Sequence, residues 1–489
     1  MELTYKYFFP IEDIKIKKHK NRKNNNQYFT PEFVVEKAFS FIPNIKIKNI
    51  IDPAVGNGIF LKIAQKKYEE AKLFGIDIDS KIIEKLEKFN LPNAKFFVGD
   101  ALLKKTWQDD EIQKVISNGG FDLVVGNPPF SSWFQRIKEP RILVDYKLAN
   151  KNGKLMKSQG IEILFLELFI KLAPNKGYII IVLPDGILSN PQYRYVREFI
   201  IKETKVKHVI NLPRNIFEET SAKTSILILE KRINNDLDYW TYLHDFQKSG
   251  IIYNSIEVKA IDLINRMDYY YYNNLNHSSL NDLTKKGLRF VPLKNFIVYC
   301  KTGKTLYGKE RIFFDKGIRF LHATNIDDIG INYTKDEKFI SPSSKMNFPN
   351  AYAKVGDILF VRVGVGCAGR VAIVNTKEDE GIATDYIHIF KVEKINPYFL
   401  VIYLKTKYGK ESIDLLKHGV GTISINKTDL LSIRIPIVSE SIQEEIGNEY
   451  KAILKNWKFA IHNHQDTFIY KEMTQNLTNK LEKILEESL

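Results

Sequence analysis

Short apolar runs alternate with amphipathic stretches between residues 49 and 231, and this alternation constrains the fold more than any other feature of the chain. The apolar runs have the length and content of buried strands, and the stretches between them repeat apolar residues at helical spacing. The predicted strands are 49–51, 72–76, 95–98, 121–125, 178–183 and 226–229, and the predicted helices include 81–89 and 162–172. This order predicts an α/β domain with a doubly wound, mainly parallel sheet.

The chain has 489 residues, which is enough for two domains and a terminal element. Residues 1–26 are predicted to be a basic amino-terminal arm, because 15–26 are charged and polar without apolar periodicity. The α/β pattern covers 27–235, and a connecting region follows at 236–291. Short strands and glycine turns predict a mixed α/β domain at 292–440. Residues 441–489 contain no proline and repeat apolar residues at helical spacing, which predicts one or two long helices.

The apolar content, the cysteines and the net charge of the chain limit the classes of function that it can have. The chain has neither a secretory signal nor an apolar run long enough to cross a bilayer, so a cytoplasmic protein without a membrane role is expected. Its two cysteines, Cys300 and Cys367, are far apart and lack neighbouring ligands, so neither a disulfide framework nor a metal site is predicted. The net charge of +15 suits a nucleic-acid partner, but a lysine-rich and asparagine-rich coding bias would also produce it.

Acidic residues follow three consecutive predicted strands. Asp52 opens the glycine-containing segment 52–60 (DPAVGNGIF), Asp77 and Asp79 follow the second strand, and Asp100 follows the third. The carboxyl ends of parallel strands meet at the ligand crevice of an open sheet, and glycine lets backbone approach a ligand closely. A glycine turn alone is explained equally well by a tight turn. Three acidic strand ends in order predict an adenosine-bearing cofactor.

The fourth strand runs directly into Asn127, Pro128, Pro129 and Phe130. The exocyclic amine of adenine is a poor nucleophile because its lone pair is delocalised into the ring. The Asn127 side-chain oxygen and the Pro128 carbonyl can accept hydrogen bonds from this amine, and the prolines restrict the backbone so that both acceptors are preorganised. Phe130 offers a flat surface for a base that has left the duplex. We therefore interpret this tetrapeptide as a catalytic site for methyl transfer to nitrogen.

Segments 52–60 and 127–130 resemble motifs I and IV of the gamma group of amino-methyltransferases, and 27–31 (QYFTP) resembles motif X. Segments 164–167 (LFLE), 177–186 (GYIIIVLPDG) and 217–231 (FEETSAKTSILILEK) resemble later motifs of the modification subunits of type I restriction systems. The resemblance spans 27–231. It implies a DNA adenine-N6 methyltransferase that uses S-adenosylmethionine and needs no metal.

The same resemblance implies roles for the matched residues. Cofactor contacts are expected from Thr30, Asp52, Gly56, Asp77 and Asp100. Thr30 is expected at the methionine part, Asp77 at the ribose with Asp79 as its alternative, and Asp100 at the adenine of the cofactor. Asn127, Pro128 and Phe130 are expected to be catalytic, and Phe217 is expected to stack on the second face of the target base.

The carboxy-terminal half resembles a target-recognition domain of type I specificity subunits. The segments that carry this resemblance are 355–359 (VGDIL), 364–370 (GVGCAGR), 421–426 (GTISIN), 433–436 (IRIP) and 443–446 (QEEI). It implies double-stranded DNA as the partner, with a general α/β accessory domain as the alternative. Arg362, Arg370 and Lys427 are candidate DNA contacts, either at guanine edges or at phosphates, with solvated surface cations as the more common alternative.

Three alternatives to an independent DNA methyltransferase stay open. The Asn-Pro-Pro-aromatic motif is shared with enzymes that methylate glutamine amides in proteins or guanine amines in RNA. A third alternative is a DNA-binding modification or specificity subunit that is active only in a larger complex. The terminal helices are candidates for homodimerisation or for docking a partner, which includes a separate restriction nuclease subunit. A fused nuclease is not favoured, because the sequence has no convincing Pro-Asp…Asp/Glu-x-Lys cluster.

Overall fold

The computed structural model describes residues 30–131, 135–151, 153–214, 216, 223–233, 236–417 and 423–487. The chain divides into two compact units between Asn273 and Asn274. Several predicted features lie outside the described residues: the arm at 1–26, the start of motif X at 27–29, Phe217, and the first two residues of segment 421–426.

The first unit combines strands and helices in alternation. Its strands are β1 Asn49–Asp52, β2 Lys72–Asp77, β3 Ala94–Val98, β4 Leu123–Gly126, β5 Asn150–Lys151, β6 Lys154–Leu155, β7 Tyr178–Pro184, β8 Thr204–Asn211, β9 Thr224–Lys231, β10 Trp240–Phe246 and β11 Ile252–Lys259. Its helices are α1 Glu32–Ser40, α2 Ile59–Lys67, α3 Ser80–Lys88, α4 Asp110–Ser117, α5 Pro140–Leu143, α6 Ile161–Leu172, α7 Asp185–Ser189 and α8 Arg194–Glu203. Helix α9, Tyr269–Asn276, contains the boundary between the units.

Nine strands of the described first unit form one sheet in the order β11-β10-β8-β9-β7-β4-β1-β2-β3. Within this order, each pair of neighbours from β7 through β4, β1 and β2 to β3 is parallel, and β8 and β10 are parallel as well. This confirms the predicted mainly parallel sheet, although β9 runs antiparallel to both of its neighbours. The chain passes from β1 outward to β3 and returns to β4 on the other side of β1. The ends of β1 and β4 therefore form the topological switch point at which open sheets bind ligands.

Both faces of the central strands are covered. β4 is buried throughout and β7 is buried except at its last residue, which explains their continuous apolar sequence. Ile50 of β1 packs in a core with residues of α1, α2 and α3. Its neighbour Ile51 is equally buried but points to the opposite face, because successive strand side chains alternate. This arrangement is the doubly wound sheet that the sequence predicts.

The sheet is larger than the predicted set of strands. β10 and β11 extend it, although they lie within 236–291, the predicted connecting region. Most of β11 is solvent-exposed, as suits the edge of a sheet, so its sequence carries little apolar alternation. The pattern that identifies buried strands is therefore weak at this edge.

The second unit contains small sheets and a helical core. Its strands are β12 Phe290–Pro292, β13 Ile297–Thr302, β14 Ile318–Leu321, β15 Phe339–Ile340, β16 Tyr352–Ala353, β17 Ile358–Val361, β18 Val371–Ile373, β19 Gly381–Ala383, β20 Ile387–Val392 and β21 Arg434–Pro436. Its helices are α10 Ser279–Lys285, α11 Pro397–Lys405, α12 Lys407–Leu415, α13 Lys427–Ser432, α14 Glu440–His462 and α15 Phe468–Glu487. The strands pair as β13-β20-β17-β18, β15-β14-β19-β16 and β12-β21.

The two terminal helices confirm the predicted helical ending. Tyr450 and Trp457 of α14 are buried in one core with Tyr403 of α11 and Leu481 of α15. Helices α14 and α15 of the predicted terminal segment therefore pack into the second unit, because their apolar residues at helical spacing are buried. None of the helices in the described part of the chain combines the length and apolar character required to span a membrane.

Candidate active site

The glycine-containing loop after β1 is tied to the end of β2. The Val55 amide donates to the Ile76 carbonyl at 2.9 Å, and the Gly56 amide donates to Asp77 Oδ2 at 3.0 Å. Asp77 Oδ1 also accepts from the Asp79 amide at 3.0 Å. The Asp77 carboxylate thus joins two neighbouring strand ends, and burial raises its pKa.

Asp77 and Asp79, the two acids proposed for a ribose, have different surroundings. Asp79 caps helix α3, because its side chain accepts from the Lys81 amide at 3.0 Å. Asp77 lies beside Gly56 in the loop that follows β1. Asp77 is therefore the acid that is tied to the glycine-containing loop, and its contact with a ribose stays a prediction.

Asp52 ends β1 and is 1% exposed. Its Oδ1 atom accepts from the Ala54 amide at 3.0 Å, whereas its buried Oδ2 atom has no hydrogen-bond partner among the described residues. Burial raises the pKa of this carboxyl to about 8; the Ala54 hydrogen bond opposes the shift and the charge of Asp77 adds to it. An unsatisfied buried acceptor is costly to a fold. Asp52 Oδ2 is therefore able to accept a hydrogen bond from a group outside the chain.

Asp100 repeats this pattern after β3. Its Oδ1 atom accepts from the Leu102 amide at 2.9 Å, and its buried Oδ2 atom has no partner within the described ranges. Burial raises the pKa of this carboxyl too. Two strand ends on the same sheet edge thus each present one acceptor oxygen that has no donor in the described part of the chain.

The tetrapeptide after β4 starts against the β1 end. Gly126 has φ +151°, and a Cβ there would lie 2.6 Å from Asp52 Oδ1, so glycine is required for this close approach. Asn127 Nδ2 donates to Thr30 Oγ1 at 3.3 Å, and Thr30 is buried. Because its nitrogen is directed to Thr30, the Asn127 side chain keeps Oδ1 as its acceptor. Predicted residues separated by 97 positions therefore meet at the switch point.

The remaining predicted catalytic residues are buried. Pro128 is buried, and Phe130 is only 2% exposed within the apolar core that includes Val125 and Ile180. Stacking of a base on the Phe130 ring therefore requires its apolar neighbours to move. The role of this ring stays a prediction, and Phe217 lies outside the described residues.

An acid that the site prediction did not include lies after β7, beside β4. Asp185 is 5% exposed and accepts from Ser225 Oγ at 2.5 Å and from Asn211 Nδ2 at 3.3 Å. It also pairs with Lys223 Nζ at 2.9 Å. Its sequence signal is the same as that of Asp52, an acidic residue directly after an apolar strand. Its oxygens are occupied by protein donors, so Asp185 supports the edge of the sheet.

The three candidate DNA contacts of the second unit also differ in their surroundings. Arg362 is half-buried, and its Nη1 donates to the Asp385 carbonyl at 2.9 Å. Arg370 is exposed, and its Nη2 donates to the Gly366 carbonyl at 3.3 Å. Lys427 is exposed at the first residue of α13. Over the described ranges, no group of three or more His, Cys, Asp or Glu side chains is arranged to hold a metal ion.

Comparisons with known proteins match both halves of the chain. Residues 14–263 match the family model described as N-6 DNA Methylase, and residues 308–466 match the Type I restriction modification DNA specificity domain. These matches confirm both resemblances found in the sequence.

Similar curated proteins include Type II methyltransferase M.CvrRI of Paramecium bursaria Chlorella virus XZ-6E, which is 26% identical over 223 residues, 46% of this chain and 53% of that protein. The Type I restriction enzyme MpnII methylase subunit of Mycoplasma pneumoniae is 26% identical over 228 residues, 43% of this chain and 41% of that protein. The chain therefore spans about half the length of these curated relatives.

A solved structure supports the fold of both units. A nuclease-deletion mutant of the Type ISP restriction-modification enzyme LlaGI, in complex with a DNA substrate mimic, has a TM-score of 0.52 and 13% sequence identity. The similarity covers 88% of this chain and 54% of that chain. Because the first family model spans more than half of the residues, this protein belongs to the N-6 DNA methylase family.

Proposed function

We propose that this protein transfers the methyl group of S-adenosylmethionine to N6 of an adenine flipped out of double-stranded DNA, as part of a restriction-modification system. The observation that carries the proposal is the position of Asn127. It follows β4 at the switch point, its amide is oriented by Thr30 at 3.3 Å, and the preceding residue, Gly126, packs against the buried carboxyl of Asp52. An acceptor oxygen is thereby fixed beside the predicted cofactor pocket.

The residues at the sheet edge fit S-adenosylmethionine. Asp52 Oδ2 and Asp100 Oδ2 are buried acceptors without partners among the described residues, and this cofactor carries ammonium, hydroxyl and amino donors. Thr30 and Asp52 would hold the methionine end, Asp77 and Gly56 the ribose side, and Asp100 the adenine. When bound, the cofactor supplies an electrophilic methyl group on a sulfonium.

The chain's own contribution to transfer is alignment and hydrogen-bond acceptance. Asn127 Oδ1 and the Pro128 carbonyl accept from the target amine as its nitrogen loses conjugation with the ring. The hydrogen bond to Thr30 keeps the Asn127 amide from rotating its nitrogen toward the base. Phe130 is the proposed stacking surface for the base. Displacement at a sulfonium depends on such positioning more than on an acid-base pair.

Support for DNA as the substrate comes from the second unit. The match at 308–466 is to a DNA specificity domain, and the similar proteins are methyltransferases of type I and type II systems. Arg362, Arg370 and Lys427 are proposed contacts to DNA. A homodimer through α14 and α15, or a separate nuclease subunit, would complete a restriction-modification assembly.

The proposal is tested by incubating the purified chain with S-adenosylmethionine labelled in its methyl group and with unmethylated double-stranded DNA, RNA or protein. Label is expected in DNA and, after hydrolysis, in N6-methyladenine. Label in RNA, in glutamine side chains or in another base would contradict the proposal. Transfer that appears only when a partner subunit is added would identify the chain as the modification subunit of a larger enzyme.

A further inference from the structure

Glu162 is a buried carboxylate next to the tetrapeptide. It lies in the first turn of α6 and is 4% exposed. Its Oε2 accepts from the Ser131 amide at 2.7 Å, and its Oε1 accepts from the Ser131 hydroxyl at 2.7 Å. Ser131 directly follows Phe130 in the sequence. Both oxygens of the carboxylate therefore accept from Ser131, the residue that directly follows the tetrapeptide.

A carboxylate at this position is costly for the fold. Desolvation of a buried charge opposes folding by several kcal/mol unless hydrogen bonds compensate. Most other residues of α6 (IEILFLELFIKL) are apolar and buried, so an apolar side chain would suit the helix better. The amino-terminal end of the helix favours negative charge and offsets part of this cost. The remaining compensation comes from Ser131, which indicates that the position of this backbone is what the carboxylate secures.

The contacts of Glu162 complete a set that holds the tetrapeptide at both ends. Its first residue is held by the Asn127 hydrogen bond to Thr30, and Gly126 rests against Asp52. Its far end is held by the two hydrogen bonds from Ser131 to Glu162. Acceptor groups act in a transition state only when they are prepositioned, and a shift of about 1 Å can cost on the order of 100-fold in rate.

We propose that Glu162 is a positioning residue for methyl transfer: through Ser131 it holds the Asn127–Phe130 segment in the geometry that accepts the target amine. This inference rests on the proposed function. Glu162 touches neither the base nor the cofactor in this scheme. Its effect is expected in the rate of the transfer step and not in cofactor affinity.

The same helix provides a matched control. Glu167 is 0% exposed and accepts from the Lys147 and Leu148 amides at 2.8 Å each. It is a second buried carboxylate of α6 with two backbone donors, but its partners lie away from the tetrapeptide in sequence. Removal of Glu162 leaves two donors without their acceptor, whereas removal of Glu167 leaves the two amides and also Lys171 Nζ, which lies 2.8 Å from Glu167 Oε1. Glu167→Ala is therefore expected to lose at least as much stability as Glu162→Ala.

The test measures single-turnover methyl transfer to DNA at saturating cofactor, and cofactor affinity by calorimetry. Glu162→Ala is expected to slow transfer by about 10- to 100-fold with unchanged affinity, and Glu167→Ala by no more than about 3-fold. Glu162→Gln should recover most of the rate, because its oxygen accepts from the Ser131 amide and its nitrogen donates to the Ser131 hydroxyl. Equal rates for the two alanine variants, or no rescue by glutamine, would overturn the inference.

Two further measurements cover the other outcomes. If Glu162→Ala does not fold, Ser131→Ala removes one of the two hydrogen bonds and should slow transfer several-fold; an unchanged rate would overturn the inference. Deuterium exchange of the peptide containing residues 127–131 should be faster in Glu162→Ala than in Glu167→Ala, and equal exchange would overturn the inference even without activity. A wild type inactive on every substrate would instead contradict the proposed function.

Discussion

Asp52 and Asp185 lie at equivalent strand ends on either side of β4, but their side chains have different hydrogen-bond partners. Asp52 follows β1 and Asp185 follows β7; both are buried, and both strands pair with β4 in parallel. Asp185 is matched by Lys223, Ser225 and other protein donors. Asp52 has one backbone donor and one oxygen without a partner among the described residues. The difference shows that burial of an acid at a sheet edge does not by itself identify a binding site, and that the partners of its oxygens must be compared as well.

The largest effect is expected at Asn127, which lies between these acids. Asn127→Ala removes the acceptor oxygen and should lower the transfer rate by a factor on the order of 100 to 1,000, with cofactor affinity unchanged. Asn127→Asp keeps an acceptor and should retain a measurable fraction of the rate. Single-turnover kinetics and calorimetry check both variants. Normal turnover by Asn127→Ala would contradict the catalytic role proposed for Asn127. It would also contradict the proposal that ligands bind at the ends of β1 and β4.

A loss of stability is expected when Asp185, the acid with several protein partners, is replaced by alanine. Asp185→Ala leaves Lys223 without its ion-pair partner and deprives Ser225 and Asn211 of an acceptor. Removal of one partner of a buried ion pair costs about 3 to 5 kcal/mol. Urea unfolding should therefore show a lower free energy of unfolding. A variant as stable as the wild type would contradict the structural role of Asp185 and remove its contrast with Asp52.

At Asp52 the expected change in stability has the opposite sign and depends on pH. The pKa of this carboxyl is raised from 3.8 to about 8 by burial, so the folded protein binds one more proton than the unfolded chain between these values. The stability of the wild type therefore falls as pH rises through this range. Asp52→Asn does not titrate and should unfold at a higher temperature than the wild type above pH 8, with the difference shrinking toward pH 4.

Thermal unfolding of the two proteins across this pH range checks the prediction. Asp52→Asn should also bind S-adenosylmethionine more weakly, since a ligand ammonium would favour a carboxylate over a neutral amide. A variant that is less stable than the wild type at high pH would show that Asp52 supports the fold as Asp185 does.

The smallest effect is expected at Lys427 in the second unit. Lys427 is exposed, and Lys427→Ala should weaken DNA binding several-fold and reduce the slope of log affinity against log salt by about one. Lys483 on α15 is an exposed lysine for the matched control Lys483→Ala. Fluorescence anisotropy over a salt series measures both variants. Equal effects of the two substitutions would mean that general charge, and not a contact at Lys427, attracts DNA.

The parts of the site that sequence predicts are those tied to strand ends. Asp52, Asp77 and Asp100 each follow an apolar run, and parallel strands place such residues on one edge. Asp185 has the same sequence signal, but its side-chain donors decide its role and they appear only in the structure. The contact between Glu162 and Ser131 joins residues 31 positions apart, and no spacing rule predicts it.

The strands of the fold also divide into those that the sequence predicts and those that it does not. The central strands, which are covered on both faces, are predictable because continuous apolar runs mark them. The edge strands β10 and β11 are not, because exposure weakens their alternation. Burial on both faces restricts the central strands to apolar residues, whereas exposure to solvent lets the residues of the edge strands vary.

The reversed direction of β9 has a consequence for how such chains diversify. Because β9 runs antiparallel to β8, the chain leaves β8 and enters β9 at the same edge that carries Asn127. Insertions or deletions between Asn211 and Thr224 would change the register of no strand pair. The length of the connection between β8 and β9 can therefore change in evolution while every strand pair of the sheet stays intact.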